Sequence, residues 1–196
     1  MDDGTGVGCR WRHVHDSKVE VANPSDRSDG SRCCYTVEHS PPTEDEVMHI
    51  WIDADACPGQ VKDIVFRLSD RTGLPVTLVA NQSIHVPRSE IITCVVVADG
   101  ADVADSHIVD QMSAGDLVIT ADIPLAARVI EKGGTAIDVR GETLTKDTIG
   151  SRLAMRNLME SARSSGIPTR GPKPFGQKDV QAFANSLDQF IWSRSK

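Results

Sequence analysis

Aromatic side chains are scarce, at 4% of the 196 residues (three Trp, four Phe, one Tyr). So few rings form no stacking platform for bases, and any nucleic-acid contact has to run through the phosphate backbone. Long apolar runs are missing as well: none approaches the ~20 residues needed to cross a bilayer. The N-terminus has no basic stretch followed by an apolar core and a cleavage site, so no secretory signal is read. The five cysteines (Cys9, Cys33, Cys34, Cys57, Cys94) are odd in number and follow no paired zinc spacing. That argues against a disulfide framework and sets the expectation of a cytoplasmic protein without membrane contact. Basic charge is also short, with 21 Lys and Arg against 28 Asp and Glu, a net of −7 that argues against a general DNA coater.

The charge is unevenly spread. Residues 1–47 carry 10 acidic and 5 basic side chains, residues 48–139 carry 13 and 6, and residues 140–196 reverse to 5 and 10. An acidic middle followed by a basic end suits a metal-holding site beside a phosphate-binding surface, or two ordinary solvated faces.

Residues 1–47 are rich in Ser, Asp, Gly and Arg, with loop signals at Asn23-Pro24 and Pro41-Pro42 and no sustained apolar period. Such a segment buries too little surface to offset its ordering entropy, and we expect a disordered or non-native extension with Met48 as the natural start. From Met48 the pattern changes. Strands are expected over 49–53, 76–80, 92–97, 117–120 and 135–139. Helices are expected from Pro58, over 101–112, from Pro124 to Gly133-Gly134, over 145–165, and at the end with Val180, Phe183, Ala184, Leu187 and Ile191 on one face. The continuous apolar character of Ile92–Val97 suggests burial on both faces. Alternating strands and helices give an α/β fold, a parallel sheet sandwiched by helices, over 48–196.

In an open parallel sheet, ligands sit beyond the carboxyl ends of the strands. Asp53 and Asp55 follow the first of these strands at a spacing of two and can point to one side. Asp99, Asp102 and Asp105 surround the start of the helix after the third, and Asp122 follows the fourth. Clustered carboxylates repel one another unless a cation neutralises them, and oxygen-only donors suit Mg²⁺ or Mn²⁺. Such an ion promotes phosphodiester cleavage. The plainer alternative makes Asp102 and Asp122 helix caps. Asn81, at the end of the second strand, orients a substrate or caps a turn. Cys57 opens a zinc alternative with Asp53, Asp55 and His107, and its place before a helix start is expected to lower its thiol pKa. Arg152, Arg156 and Arg163 fall within a stripe about 40° wide on a helix. With Lys173 beyond them, they suit contact with RNA or another nucleic acid, or form a solvated face.

Ile50-Trp-Ile-Asp-Ala-Asp-Ala-Cys-Pro58, Val79-Ala-Asn81, Gly100-Ala-Asp-Val-Ala-Asp105, Gly115-Asp-Leu-Val-Ile-Thr-Ala-Asp-Ile-Pro-Leu-Ala126 and Arg140-Gly-Glu142 resemble the YaiI/YqxD family of bacterial proteins. Gly171-Pro-Lys-Pro-Phe175, with Asp179, Phe183 and Leu187 after it, is similar to the same family. The resemblance covers about 48–191. It implies a single PIN-like domain, the fold of metal-dependent nucleases whose acids come from the first strand, a middle helix and the fourth strand. On that likeness Asp53 and Asp122 are the catalytic carboxylates. The likeness makes Asp102 or Asp105 the middle-helix acid; with the strand-end reading the expected metal ligands are Asp53, Asp55, Asp102, Asp105 and Asp122, and position and spacing, not the likeness, put Asn81, Arg152, Arg156 and Lys173 toward the substrate. Two alternatives stay open. One is a non-catalytic nucleic-acid or protein-binding module on the same scaffold. The other is a phosphatase similar to the haloacid-dehalogenase group, whose DxD element Asp53-Ala-Asp55 also resembles.

Overall fold

In a computed structural model, which describes residues 12–14, 17–19, 47–98, 100, 102–166 and 173–194, the apolar runs become strands and the amphipathic stretches become helices. Two short strands come first, β1 (Arg12–Val14) and β2 (Ser17–Val19), paired antiparallel. The sequence reading had no strand here; the rest of the expected disorder over 1–47 lies outside the described residues, except Val47. The main sheet is built from β3 (Ile50–Asp53), β4 (Val76–Ala80), β5 (Ile92–Val96), β6 (Leu117–Ile119), β7 (Thr135–Ile137) and β8 (Thr143–Leu144). Its helices are α1 (Gly59–Thr72), α2 (Val103–Gln111), α3 (Ile123–Glu131), α4 (Lys146–Ser164) and α5 (Gln177–Arg194).

The strand order is β5-β4-β3-β6-β7-β8. All neighbours are parallel except β7 and β8, which pair antiparallel. The α/β reading therefore holds, with one antiparallel edge strand too short, at two residues, to leave a periodic signal. Alternation along each strand feeds two cores. Ile50, Ile52, Leu78, Leu117, Ile119 and Ile137 pack with Val61, Val65 and Leu68 of α1 and with Phe183 and Leu187 of α5. Trp51, Val79, Val118 and Ala136 face the other way, onto Ile108 of α2 and Leu125 and Val129 of α3. Each buried aliphatic side chain contributes roughly 1.5–3 kcal/mol, so the paired cores hold the layers together.

Two expectations change. Pro58 stands one residue ahead of α1 as its N-cap, because its fixed φ of −60° is combined with an extended ψ of 147°. Ile92–Val96 is not buried on both faces: β5 is a sheet edge, and Thr93, Val95 and Val96 are only half-buried. At the far end of the sheet, Asp116 is buried and accepts N–H bonds from His49 (2.9 Å), the Trp51 indole (3.0 Å) and Ser113 (2.9 Å). Its carboxylate is consumed in joining β3 to β6. Among the described residues no helix is long and apolar enough to cross a membrane.

Candidate functional site

Strand order reverses direction between β3 and β6, which carry the chain outward to opposite sides, and a crevice opens beyond their carboxyl ends. A cavity of about 380 Å³ lies there, lined by Asp53, Asp55, Asn81, Asp102, Asp105 and Asp122, with Ala56, Gly100 and Ala104 completing the wall. Every carboxylate expected at the site and described by the structure thus reaches one cavity; Asp99 lies outside the described residues. Asn81 joins them from the end of β4.

Asp53, the last residue of β3, is buried at the base. The Thr120 hydroxyl donates to its Oδ2 at 2.7 Å, and the Asp122 N–H donates to the same hydroxyl at 2.9 Å. The order of donation is fixed, because a hydroxyl has a single proton and Thr120 spends it on the carboxylate. This relay ties β3 to the turn that presents Asp122. The sequence reading quoted Thr120 only within a motif; its place one residue past a buried strand and two before an acid was the available signal. Thr120→Val should destabilise the fold by about 1.5–3 kcal/mol, the worth of a hydrogen bond to a charged group. Thr120→Ser should retain most of that stability in urea unfolding.

Burial is the main reason the Asp53 carboxyl is pushed up from its ordinary value. The bonds from Thr120 and the Ala56 N–H oppose that rise, and the charges of Asp55 and Asp122 add to it. Asp105 is raised further, to about 6, by burial and then by Asp122, Asp53 and Asp102, with Arg128 partly offsetting them. An acid whose folded pKa lies above its unfolded value binds its proton more tightly in the folded state. Stability then falls as pH rises through the interval from 3.8 to about 6, and the penalty is complete above it. Asp105→Asn should therefore raise stability near neutral pH by about 1 kcal/mol, a figure reduced for solvent screening. It should change little below about pH 3, where both states hold the proton. Urea unfolding at the two pH values checks this.

Helix capping does not account for the acids. Asp102 and Asp122 occupy the N-cap positions of α2 and α3, yet neither side chain makes a capping hydrogen bond. Asp102 also has φ 60°, the only positive φ at a non-glycine residue among those described. A left-handed aspartate costs energy and aims the carboxylate somewhere an ordinary cap would not. Asp55 is engaged differently: its Oδ2 accepts the Asn81 backbone N–H at 2.8 Å.

The expectation for Cys57 is overturned. The thiol is buried, and burial pushes it up to about 12 against the small opposing effect of Lys62. The loss of solvation outweighs the neighbouring helix start, so the group is neither a ready thiolate ligand nor a nucleophile. Among the described residues no three His, Cys, Asp or Glu side chains stand together so as to hold a metal ion. The donor set still fits a hard cation. Mg²⁺ is commonly held by one or two carboxylates, with waters and substrate phosphates completing its shell. The Asn81 Oδ1 is moreover buried without a hydrogen-bond partner.

The basic residues stand apart from this cavity. Arg152, Arg156 and Lys173 do not line it. Arg152 forks onto Glu142, with Nε 3.0 Å from Oε1, and Arg156 lies 3.6 Å from Glu160 in an exposed pair. Lys173 offers its carbonyl to Arg140, whose Nη1 also donates to Asp179 at 2.8 Å.

Residues 51–193 match the family described as "Uncharacterized BCR, YaiI/YqxD family". A UPF0178 protein of Pectobacterium carotovorum subsp. carotovorum (strain PC1) is 57% identical over 149 residues, 76% of this chain and 99% of its own length. One from Dechloromonas aromatica (strain RCB) is 56% identical over 144 residues, 74% of this chain and 96% of its own. One from Yersinia pestis (strain Pestoides F) is 57% identical over 144 residues, 74% and 95% of the two chains. No solved structure matches the chain.

Proposed function

The chain belongs to the YaiI/YqxD family, and on that footing we propose that its acidic crevice is the site of a divalent-metal-dependent, PIN-like nuclease acting on RNA or another phosphodiester. The observation that carries this reading is the convergence of Asp53, Asp55, Asp102, Asp105 and Asp122 on one cavity at the strand-order reversal. Uncapped N-cap carboxylates at Asp102 and Asp122 support it, since structural duty leaves both free. One or two carboxylates from among Asp53, Asp102, Asp105 and Asp122 would hold Mg²⁺ or Mn²⁺, with waters and substrate oxygens completing the shell. When bound, the cation supplies Lewis-acid stabilisation of the charge that develops on phosphodiester oxygens.

The chain's own residues do the rest. Thr120 fixes the Asp53 carboxylate in one orientation. Asp105 gives up its proton only near pH 6, so ion binding is coupled to proton release from this group. An open crevice, lined by acceptors and lacking an aromatic platform, selects for a phosphodiester presented with its cation and not for a base. The phosphatase alternative is less well supported, because Asp55, which would act as general acid there, is spent on the Asn81 N–H. Labelled RNA and single-stranded DNA incubated with the full chain and Mn²⁺ test the proposal. Chelator-sensitive cleavage that drops at least about a hundredfold in Asp122→Asn is expected. Absence of cleavage across substrates, with phosphate released from an aryl phosphate, would favour the phosphatase.

A further inference from the structure

We propose that the outer face of α4 is a self-association surface, on which a second copy of this chain packs its own α4 antiparallel about a two-fold axis. α4 runs for 19 residues, yet none of them is buried. Each of the other helices has buried side chains. A helix of this length with no covered face is marginal in water, because most helical stability comes from packing one apolar side. Its inner side is accounted for: Ile149 and Leu153 are half-buried, and Ile149 packs on the core that holds α3. At about 100° per residue, Met155, Leu158, Met159 and Ala162 fall within a stripe about 100° wide on the opposite side. Met155 is 52% exposed, Leu158 62% and Met159 43%. Their spacing of i, i+3, i+4 and i+7 is that of helix–helix anchors. None lines the acidic crevice, so the inference is independent of the nuclease reading.

Self-complementarity points to a second copy. In an antiparallel pair Met155 meets the partner's Leu158, and the symmetry repeats that contact. Ala162 then faces the partner's Ser151 and Ala154 faces the partner's Ser161, so large groups meet large ones and small groups meet small ones. Charge agrees with this register. Arg152 lies along the partner's Met159, an uncharged neighbour, while its head stays on Glu142 of its own chain. Arg156 pairs with Glu160 within the helix, and Arg163 shares its solvent side. No like charges are opposed. With a rise of 1.5 Å per residue the helix is about 28 Å long, and two of them bury roughly 1,000 Å² together. That area is near the lower bound of a specific interface and fits a dimer that dissociates in the micromolar range.

Sedimentation velocity of the full chain, from about 1 to about 200 µM, tests this. A monomer–dimer equilibrium is expected, with a Kd on the order of 10 µM. Leu158→Lys, at an exposed position that the fold does not need, should weaken association at least about tenfold. Position 159 reads the register. Met159→Glu sets a carboxylate beside the partner's Arg152 and should stay within about threefold of the parent. Met159→Lys opposes two cations there and should weaken association at least about tenfold. Circular dichroism of dilute samples establishes that each variant is folded. A chain that stays monomeric to about 200 µM, or Leu158→Lys associating like the parent, overturns the dimer. Equal loss in Met159→Glu and Met159→Lys overturns the antiparallel register. A monomeric chain that binds phosphatidylglycerol vesicles, and loses that binding in Leu158→Lys, overturns the second copy in favour of a lipid surface.

Discussion

Asp53→Asn should lower metal-dependent phosphodiester cleavage by about two to three orders of magnitude while leaving the melting temperature unchanged or higher. The magnitude is that of removing one fixed electrostatic contributor from a catalytic site. Stability moves the other way because the carboxylate is buried, and burial disfavours its charged form. The asparagine carbonyl can still accept from the Thr120 hydroxyl, so the tie between β3 and β6 survives. Loss of activity without loss of fold separates a functional acid from a structural one. Asp116 is the internal control. It is equally buried, but its oxygens take three N–H donors, so Asp116→Asn should destabilise the protein, because its NH₂ group would face one of those donors. Cleavage by Asp53→Asn equal to the parent would remove Asp53 from the site.

The second large effect is on folding. Gly141→Ala should destabilise the protein by roughly 3–5 kcal/mol, a fall of about 10 °C in melting temperature for a domain of this size. Gly141 has φ 86°, and a methyl group there would stand 2.5 Å from the Ala182 carbonyl carbon, 2.6 Å from its oxygen and 2.6 Å from the Phe183 nitrogen. All three are backbone atoms of α5, which cannot rotate aside. The Ser186 hydroxyl donates to the Gly141 carbonyl, and Arg140 beside it holds Asp179 at the start of the same helix. The Arg140-Gly141-Glu142 turn is thus the dock for α5, whose Phe183 and Leu187 complete one of the two cores. Thermal unfolding followed at the tryptophans measures the effect. By contrast, a methyl at Gly134 would first meet the end of the Met112 side chain at 2.4 Å, which can move, so Gly134→Ala should be milder.

This dock also gives a physical reason for the second group of motif residues. Gly141 lies far in the sequence from Asp179 and Phe183 and none of the three lines the acidic crevice, yet the Arg140-Gly141 turn and α5 meet at these positions. Their chemistry is that of packing and not of catalysis. The arginine stripe divides in the same way: the helical spacing of Arg152 and Arg156 is real, but Glu142 and Glu160 stand against them. Periodicity locates a face on a helix and carries no information about which distant acid will pair with it.

By itself the sequence determined the order and type of the elements, because buried strands need short apolar runs and helices need apolar residues at every third or fourth position. It also determined that acids follow strand ends, and hence that they share one edge of a parallel sheet. Boundaries moved by one or two residues, and β8 escaped because two residues carry no period. Only the tertiary structure decided the environments. Cys57 became a high-pKa buried thiol, β5 proved to be an edge, Thr120 became the clamp on Asp53, and Asp55 was drawn toward Asn81. Each depends on residues brought together from distant parts of the chain, where desolvation and hydrogen-bond direction override what local spacing suggests. The acids could be found one strand at a time; which of them remain free for chemistry was settled by their neighbours in space.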